Sequence, residues 1–247
     1  MIAQRFLYIW LLLCSVVDSF VLMHPTRTAP PSTTRTTELH FKRFLSNLLG
    51  RGRSSINKGS EEASIVLKVL TGRRTINDFE SAKVDEGIVK AAIGAAILAP
   101  NHKMTEPWRF ILLGNETISE IAALNAAEIA KKDPIKGAKK KERWQAIPGW
   151  CVVTSSKSDR GLQEREDYAA TCCAVQNFML SLWVEGVGSK WTTGPITRTE
   201  KFAHLCGIDQ TKEEVVGCIW YGIPSNKEMI SAPKRRKTVE EVTSRRP

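Results

Sequence analysis

Apolar and polar positions fall in blocks whose period switches between helix and strand along the chain. The segment EEASIVLKVLTG follows Ser60, an N-cap residue type. It carries Ile65, Leu67, Val69 and Leu70 and runs to Gly72, a natural helix stop. A polar, extended connection, RRTINDF, comes next. Asp85 is placed to cap a second helix, EGIVKAAIGAAILA. There Ile88, Ala92, Ala95, Ala96 and Ala99 form a small-residue face that admits a close neighbour, and Pro100 ends the helix. WRFILLG predicts a short strand to Gly114, and GWCVVTSS a second, buried one. Between them a helical segment from about Ile118 enters the lysine-rich AKKDPIKGAKKKERW, expected as a solvated face or mobile loop.

Residues 167–185 predict the longest helix. Tyr168, Cys172, Val175, Met179 and Leu182 share one face, and Phe178, Leu180 and Trp183 add apolar surface on others. A helix apolar nearly all round belongs in the centre of a fold or at a subunit interface. GVGSKWTTGPI predicts a turn, a short strand and a Gly-Pro stop. RTEKFAHLCG predicts a short helix to Gly207, and EVVGCIWYGIP a strand to Pro224. The tail SAPKRRKTVEEVTSRRP is basic and lacks a core pattern, and no internal repeat is visible. Helices interleaved with a few short strands predict one α+β or α/β domain.

Charge changes this picture little. The net charge of +10 suggests nucleic acid at first, but eight of the 36 Lys+Arg and only two of the 26 Asp+Glu lie in residues 1–60. The body is therefore only mildly basic, and its lysine run has no interleaved aromatics, so nucleic acid is not an expected partner. A hydrophobic content of 42% can fill a real core. Of six cysteines, Cys14 is near the N-terminus, and Cys151, Cys172, Cys173, Cys206 and Cys218 are in the body. No zinc-type spacing appears. Cys151, Cys172 and Cys218 fall in apolar runs and read as reduced core residues; no histidine is placed beside Cys172 or Cys173 to make either a nucleophile.

The N-terminus has its own organisation. Residues 1–19 hold Arg5 and an apolar run from Phe6 to Val17, too short to span a bilayer comfortably, and read as a signal peptide. Residues 20–59 are rich in Ser, Thr, Pro and Arg and poor in acids, as in a transit peptide. With Phe20 at the junction, the two together resemble the bipartite leader of algae with complex plastids. That resemblance implies plastid import; a membrane anchor or plain secretion is the alternative. The folded domain is expected over residues 60–247.

Four polar clusters are candidates for chemistry. Arg73-Arg74-Thr75 offers two guanidinium forks and a hydroxyl. Asn101-His102-Lys103 follows a helix-ending proline. Trp191-Thr192-Thr193-Gly194 offers two hydroxyls and a glycine that lets backbone approach a flat ligand. Lys234-Arg235-Arg236 in the tail could close on a phosphate. Each is weak alone, since paired arginines and lone histidines are common on surfaces.

In this order and spacing they resemble the FMN-dependent nitroreductase family. The family's RRS motif is matched by RRT at 73–75. Its APS…QPW.F motif is matched by Ala99-Pro100 and by Glu106-Pro107-Trp108-Arg109-Phe110, and its glycine-containing turn by residues 186–194. The resemblance covers about residues 61–240 and is nearest to the short, minimal bacterial branch. It implies a three-layer α+β sandwich with a mainly antiparallel central sheet, in an intertwined homodimer with FMN at the interface. Arg73, Arg74 and Thr75 would hold the ribityl phosphate and pyrimidine edge. Leu98, His102 and Lys103 would contact the flavin; Trp191, Thr192, Thr193 and Gly194 would line it from the other chain; Lys234 and Arg236 would pair with the phosphate.

The resemblance also implies ping-pong electron transfer from NAD(P)H through FMN to a small organic acceptor, a nitro compound or quinone, with no catalytic side chain. The absence of GxGxxG suits a nicotinamide that visits the shared pocket. The rival is a non-catalytic flavin- or tetrapyrrole-binding plastid protein of the same fold. No stable membrane association is expected after processing. Three departures mark the match: Thr75 replaces serine, Glu106 replaces glutamine, and Met104 stands where larger relatives place a flavin-touching asparagine.

Overall fold

One antiparallel sheet organises the chain, in strand order β1-β2-β4-β3: β1 Trp108–Leu112, β2 Gly149–Ser156, β3 Gly188–Thr192 and β4 Glu213–Gly222. The computed structural model describes residues 61–225 and 236–246. The leader, the boundary near residue 60 and Lys234 lie outside the described residues.

Helices cover both faces of the sheet. On one face α2 (Glu86–Ala96) and α5 (Gly161–Val184) meet the strands. Val89, Ala92, Val153, Ala174, Phe178, Leu182 and Ile219 form the first core there. On the other face α3 (Asn115–Ala130), α4 (Pro134–Gln145) and α6 (Glu200–Leu205) enclose a second core. Its centre is Trp144, Trp150 and Trp220, with ring centroids 5.2–5.4 Å apart. The expected three-layer α+β sandwich is what the chain forms.

Several elements differ from the sequence expectation. Of the two readings of the lysine-rich stretch, the solvated face holds and the loop does not: it forms helix α4. Asp133 caps it, accepting from the Lys136 N–H at 2.9 Å, and Pro134 fits its first turn, where no N–H is needed. A Cβ on Gly137 would meet the Ala126 carbonyl at 2.8 Å, so α3 and α4 touch backbone to backbone while the lysines face water. Helix α5 begins at Gly161 rather than 167, because its first turns, GLQERE, carry no apolar stripe. Asp85 does cap α2, accepting from the Gly87 N–H at 2.7 Å. The buried face of α2 is Val89, Ala92 and Ala96, rotated by about one position from the face expected, and the helix ends four residues before Pro100.

A β-bulge decides how β4 serves both cores. Val153 faces Gly217 and Thr154 faces Val215, so Val216 is the extra residue. The bulge breaks the alternation of faces: Val215 packs toward the second core, Val216 toward the first, and Cys218 toward the second again. The freed Val216 carbonyl accepts from the Trp191 indole N–H at 3.3 Å.

At the end of β4 nearest the bulge, Glu213 takes a two-pronged ion pair from Arg109, with Nε at 3.0 Å, and a hydrogen bond from the Thr154 hydroxyl. Arg109 also donates to the Gly207 carbonyl at 3.1 Å. Burial pushes the Glu213 carboxyl up, but the bonds from Arg109 and Thr154 outweigh it and hold the group below its ordinary value. A depressed folded value means the ionised carboxylate stabilises the fold above the ordinary glutamate value. That contribution is lost as pH falls through the folded one. Between pH 6 and pH 3 the urea midpoint of the native chain should therefore drop further than that of Glu213→Gln, which no longer titrates there.

Candidate functional site

Residues 97–107 make a loop with an unusual backbone. Lys103, Met104 and Glu106 all have positive φ (60°, 54° and 46°), and none is glycine. Each such residue costs roughly 1–2 kcal/mol, so the surroundings must enforce the conformation. Two groups do so. Asn101 reaches across its own loop: its Oδ1 accepts from the Glu106 N–H at 2.7 Å and its Nδ2 donates to the Thr105 hydroxyl oxygen at 3.0 Å. Helix α5 supplies the other. The Thr105 hydroxyl donates to Asp167 Oδ1 at 2.5 Å, and Asp167, only 4% exposed, also accepts from Gln163 Nε2 at 3.0 Å. One residue earlier on α5, Glu166 Oε2 lies 2.8 Å from His102 Nδ1. Lys103 makes no hydrogen bond or ion pair among the described residues, and Leu98 and Met104 are exposed.

A second polar surface lies along β3. Helix α1 (Glu61–Gly72) ends at the two arginines, both half-buried. Arg74 Nη1 donates to the Thr71 and Arg73 carbonyls at 2.6 and 3.0 Å, which caps the end of α1. Thr75 bridges Ser189 in parallel, and the Ile76 N–H donates to the Ser189 carbonyl at 3.0 Å. Arg73–Thr75 and Trp191–Gly194 therefore share one strand edge. The Trp191 indole itself is turned onto its own sheet, over Gly217. What it leaves accessible is Thr192, Thr193 and open space at Gly194, where an added Cβ would touch nothing within 4 Å. Arg236 is described and exposed.

The two surfaces stand apart within one chain. The His102 loop feeds edge strand β1, and the arginine cluster lines edge strand β3. Three strand spacings separate these edges, about 14 Å. No hydrogen bond or ion pair among the described residues joins them. Each is a half-site with hydrogen-bonding groups left over: His102 Nε2 and Lys103 at the first, the remaining Arg74 nitrogens and the Thr192 and Thr193 hydroxyls at the second.

The remaining chemistry is quiet. Burial pushes the Cys151 and Cys206 thiols up to about 12 and raises the Cys218 thiol well above its ordinary value, so these are packing groups. Cys172 is only half-buried, and burial raises its thiol too. No group of three or more His, Cys, Asp or Glu is arranged for a metal among the described residues. Thr105, Glu166 and Asp167 are the site residues that sequence reasoning missed, and Asn101, a sequence candidate for ligand contact, instead braces its own loop. The adjacent acids on the polar first turns of α5 were the available signal.

Residues 70–223 match the Nitroreductase family. "Putative NAD(P)H nitroreductase YfhC" of Bacillus subtilis (strain 168) is 28% identical over 166 residues, which covers 65% of this chain and 85% of that protein. The crystal structure of a nitroreductase-like family protein from Bacillus cereus superposes with a TM-score of 0.63 at 28% identity, covering 77% of this chain and 98% of that one. The FMN-dependent nitroreductase NfnB of Mycobacterium smegmatis, solved in complex with NADPH, shares the fold with a TM-score of 0.62 at 14% identity. That alignment covers 76% of this chain and 100% of the other.

Proposed function

We propose, from the premise that this chain belongs to the nitroreductase family, that it is an FMN-dependent oxidoreductase working as a homodimer. It takes electrons from NAD(P)H and passes them in ping-pong order to a small organic acceptor, a nitro compound or quinone. The observation that carries this reading is the split site. Two half-sites with unpartnered donors lie at opposite sheet edges, and a second copy of the chain would complete each of them.

The exposed apolar face of α1 supports the dimer. Ile65, Leu67 and Leu70 are 55%, 62% and 53% exposed, and the helix buries none of its residues in the single chain. Apolar surface of this kind marks an interface.

The residues present fit a flavin mononucleotide. Arg73, Arg74 and Arg236 supply the cations a phosphate dianion needs, with Lys234 from the undescribed tail. Thr75, Thr192 and Thr193 supply hydroxyls, and the open space at Gly194 admits a flat ring. His102 and Lys103, with Leu98 beside them, would meet the ring from the partner side; because Thr75 bridges Ser189, Arg73–Thr75 and Trp191–Gly194 lie together on one chain, not on two as the resemblance implied. When bound, FMN supplies the hydride chemistry; the protein binds, orients and excludes water. The leader reading accompanies this one: a plastid enzyme, processed near residue 60, nearest to the minimal bacterial branch.

Turnover tests the reading. The purified chain with FMN should oxidise NADPH steadily when a quinone or nitroaromatic is added. Flavin binding without such turnover would favour the non-catalytic binder, and Glu106 and Met104 are where that failure would be sought.

A further inference from the structure

The structure assigns Glu166 and Asp167 of helix α5 as positioning residues that hold the strained loop 101–106 and fix the proton of His102 on Nδ1. Their functional consequence rests on the flavin reading above; the clamp itself does not.

An ionised carboxylate only accepts hydrogen bonds, so the imidazole nitrogen that faces it must carry the hydrogen. Glu166 Oε2 lies 2.8 Å from His102 Nδ1, which places the proton there. His102 is well exposed, and its Nε2 makes no hydrogen bond among the described residues. In the neutral ring Nε2 is thereby a hydrogen-bond acceptor, and it becomes a donor only when the ring is charged. An unrestrained neutral imidazole could present either edge. Glu166 removes that choice, and with it decides which ligand groups His102 can meet: N–H or O–H donors when neutral, carbonyl or anionic oxygens when charged.

Asp167 does the complementary work on the backbone. It is buried, and Gln163 steadies it at 3.0 Å, so its acceptor for the Thr105 hydroxyl is fixed on the helix. Thr105 sits between the positive-φ residues Met104 and Glu106. A helix that packs centrally in the first core thus sets the conformation of a loop that its own sequence disfavours. Consecutive residues on α5 hold consecutive parts of the loop: Glu166 the ring of His102, Asp167 the turn that follows Lys103. Asn101 closes the turn from within.

The test is nitrogen-resolved NMR of His102 in the full chain, without and with FMN, at a pH where imidazole is neutral. The native chain should show the Nδ1–H tautomer. Glu166→Ala should move the ring toward Nε2–H, and Glu166→Gln, whose amide can either accept from or donate to Nδ1, should give a mixture of the two tautomers. Flavin affinity is the second readout: Glu166→Ala and Thr105→Val should each weaken FMN by about 5- to 30-fold, whereas Arg165→Ala, an exposed neighbour on the same helix, should not. An unchanged tautomer in Glu166→Ala overturns the assignment of the proton. A changed tautomer with unchanged affinity in both loop variants overturns the positioning role. A native chain that binds no FMN, yet shows the predicted tautomer pattern, overturns the flavin reading and leaves the clamp standing.

Discussion

Replacing Gly217 with alanine should lower the melting temperature of this protein by roughly 3–10 °C, from a loss of about 1–3 kcal/mol. Gly217 lies at the bulge of β4, where the strand turns two successive residues toward the first core. Val216 fills that core, and Gly217 leaves room for the Trp191 indole. An ideal Cβ at 217 would stand 2.1 Å from Trp191 Nε1 and 2.6 Å from its Cδ1. The indole cannot yield cheaply, because its ring is rigid and its N–H is bonded to the Val216 carbonyl. Either β4 shifts away from β3 or the indole leaves the core and exposes its buried face. Both movements displace Thr192 and Thr193, so flavin affinity should fall along with stability. Combining Gly217→Ala with Trp191→Leu should recover part of the stability, which thermal denaturation of the two variants side by side would show.

Arg74→Ala should weaken FMN binding by about 10- to 100-fold, the range expected for one lost charge-assisted hydrogen bond. In the chain as described, Arg74 commits Nη1 to the carbonyls at the end of α1 and keeps its other terminal nitrogen available. The same arginine thus closes a helix and faces the proposed phosphate. Arg74→Lys should recover charge but not the planar fork, so it should bind FMN between the two. Flavin fluorescence titration of the three proteins orders them. A small loss of stability in Arg74→Ala, from the uncapped helix end, should accompany the affinity loss without explaining it, since Arg74→Lys should lose the cap as well.

Much of this architecture was legible in the residues. Strand β2 was read from GWCVVTSS because both its faces are buried and it is continuous in apolar and small residues. Asp85 was legible as a cap because its position before an apolar-periodic run permits little else. Helix α4 was hidden by its lysines: the apolar positions that fix it, Gly137 and Trp144, are only two, and a glycine signals packing only when its neighbour is known. The start of α5 was hidden for the same reason, since its first turns serve the loop and not the core.

The candidate site divided along the same line. The residues that would touch a ligand, Arg73, Arg74, His102, Lys103, Thr192 and Thr193, announced themselves by type and order. Those that hold them did not. Asp167 and Thr105 are 62 positions apart, and nothing in either segment pairs them. The bulge that seats Trp191 is likewise invisible until β2 and β4 are aligned. Met104 and Glu106 read from the sequence as departures from a motif; in the structure they are two of three residues in a left-handed turn, a property of the backbone that side-chain pattern does not encode.

The central claim is that one polypeptide carries both halves of an FMN site that only a second copy completes. Absorbance spectroscopy of the purified chain, titrated with FMN and then with NADPH without oxygen, tests it most directly. Saturable binding at one FMN per chain is expected, followed by bleaching of the flavin bands on adding NADPH. A chain that takes up no FMN, or one whose bound flavin stays oxidised under excess NADPH and NADH, would contradict it.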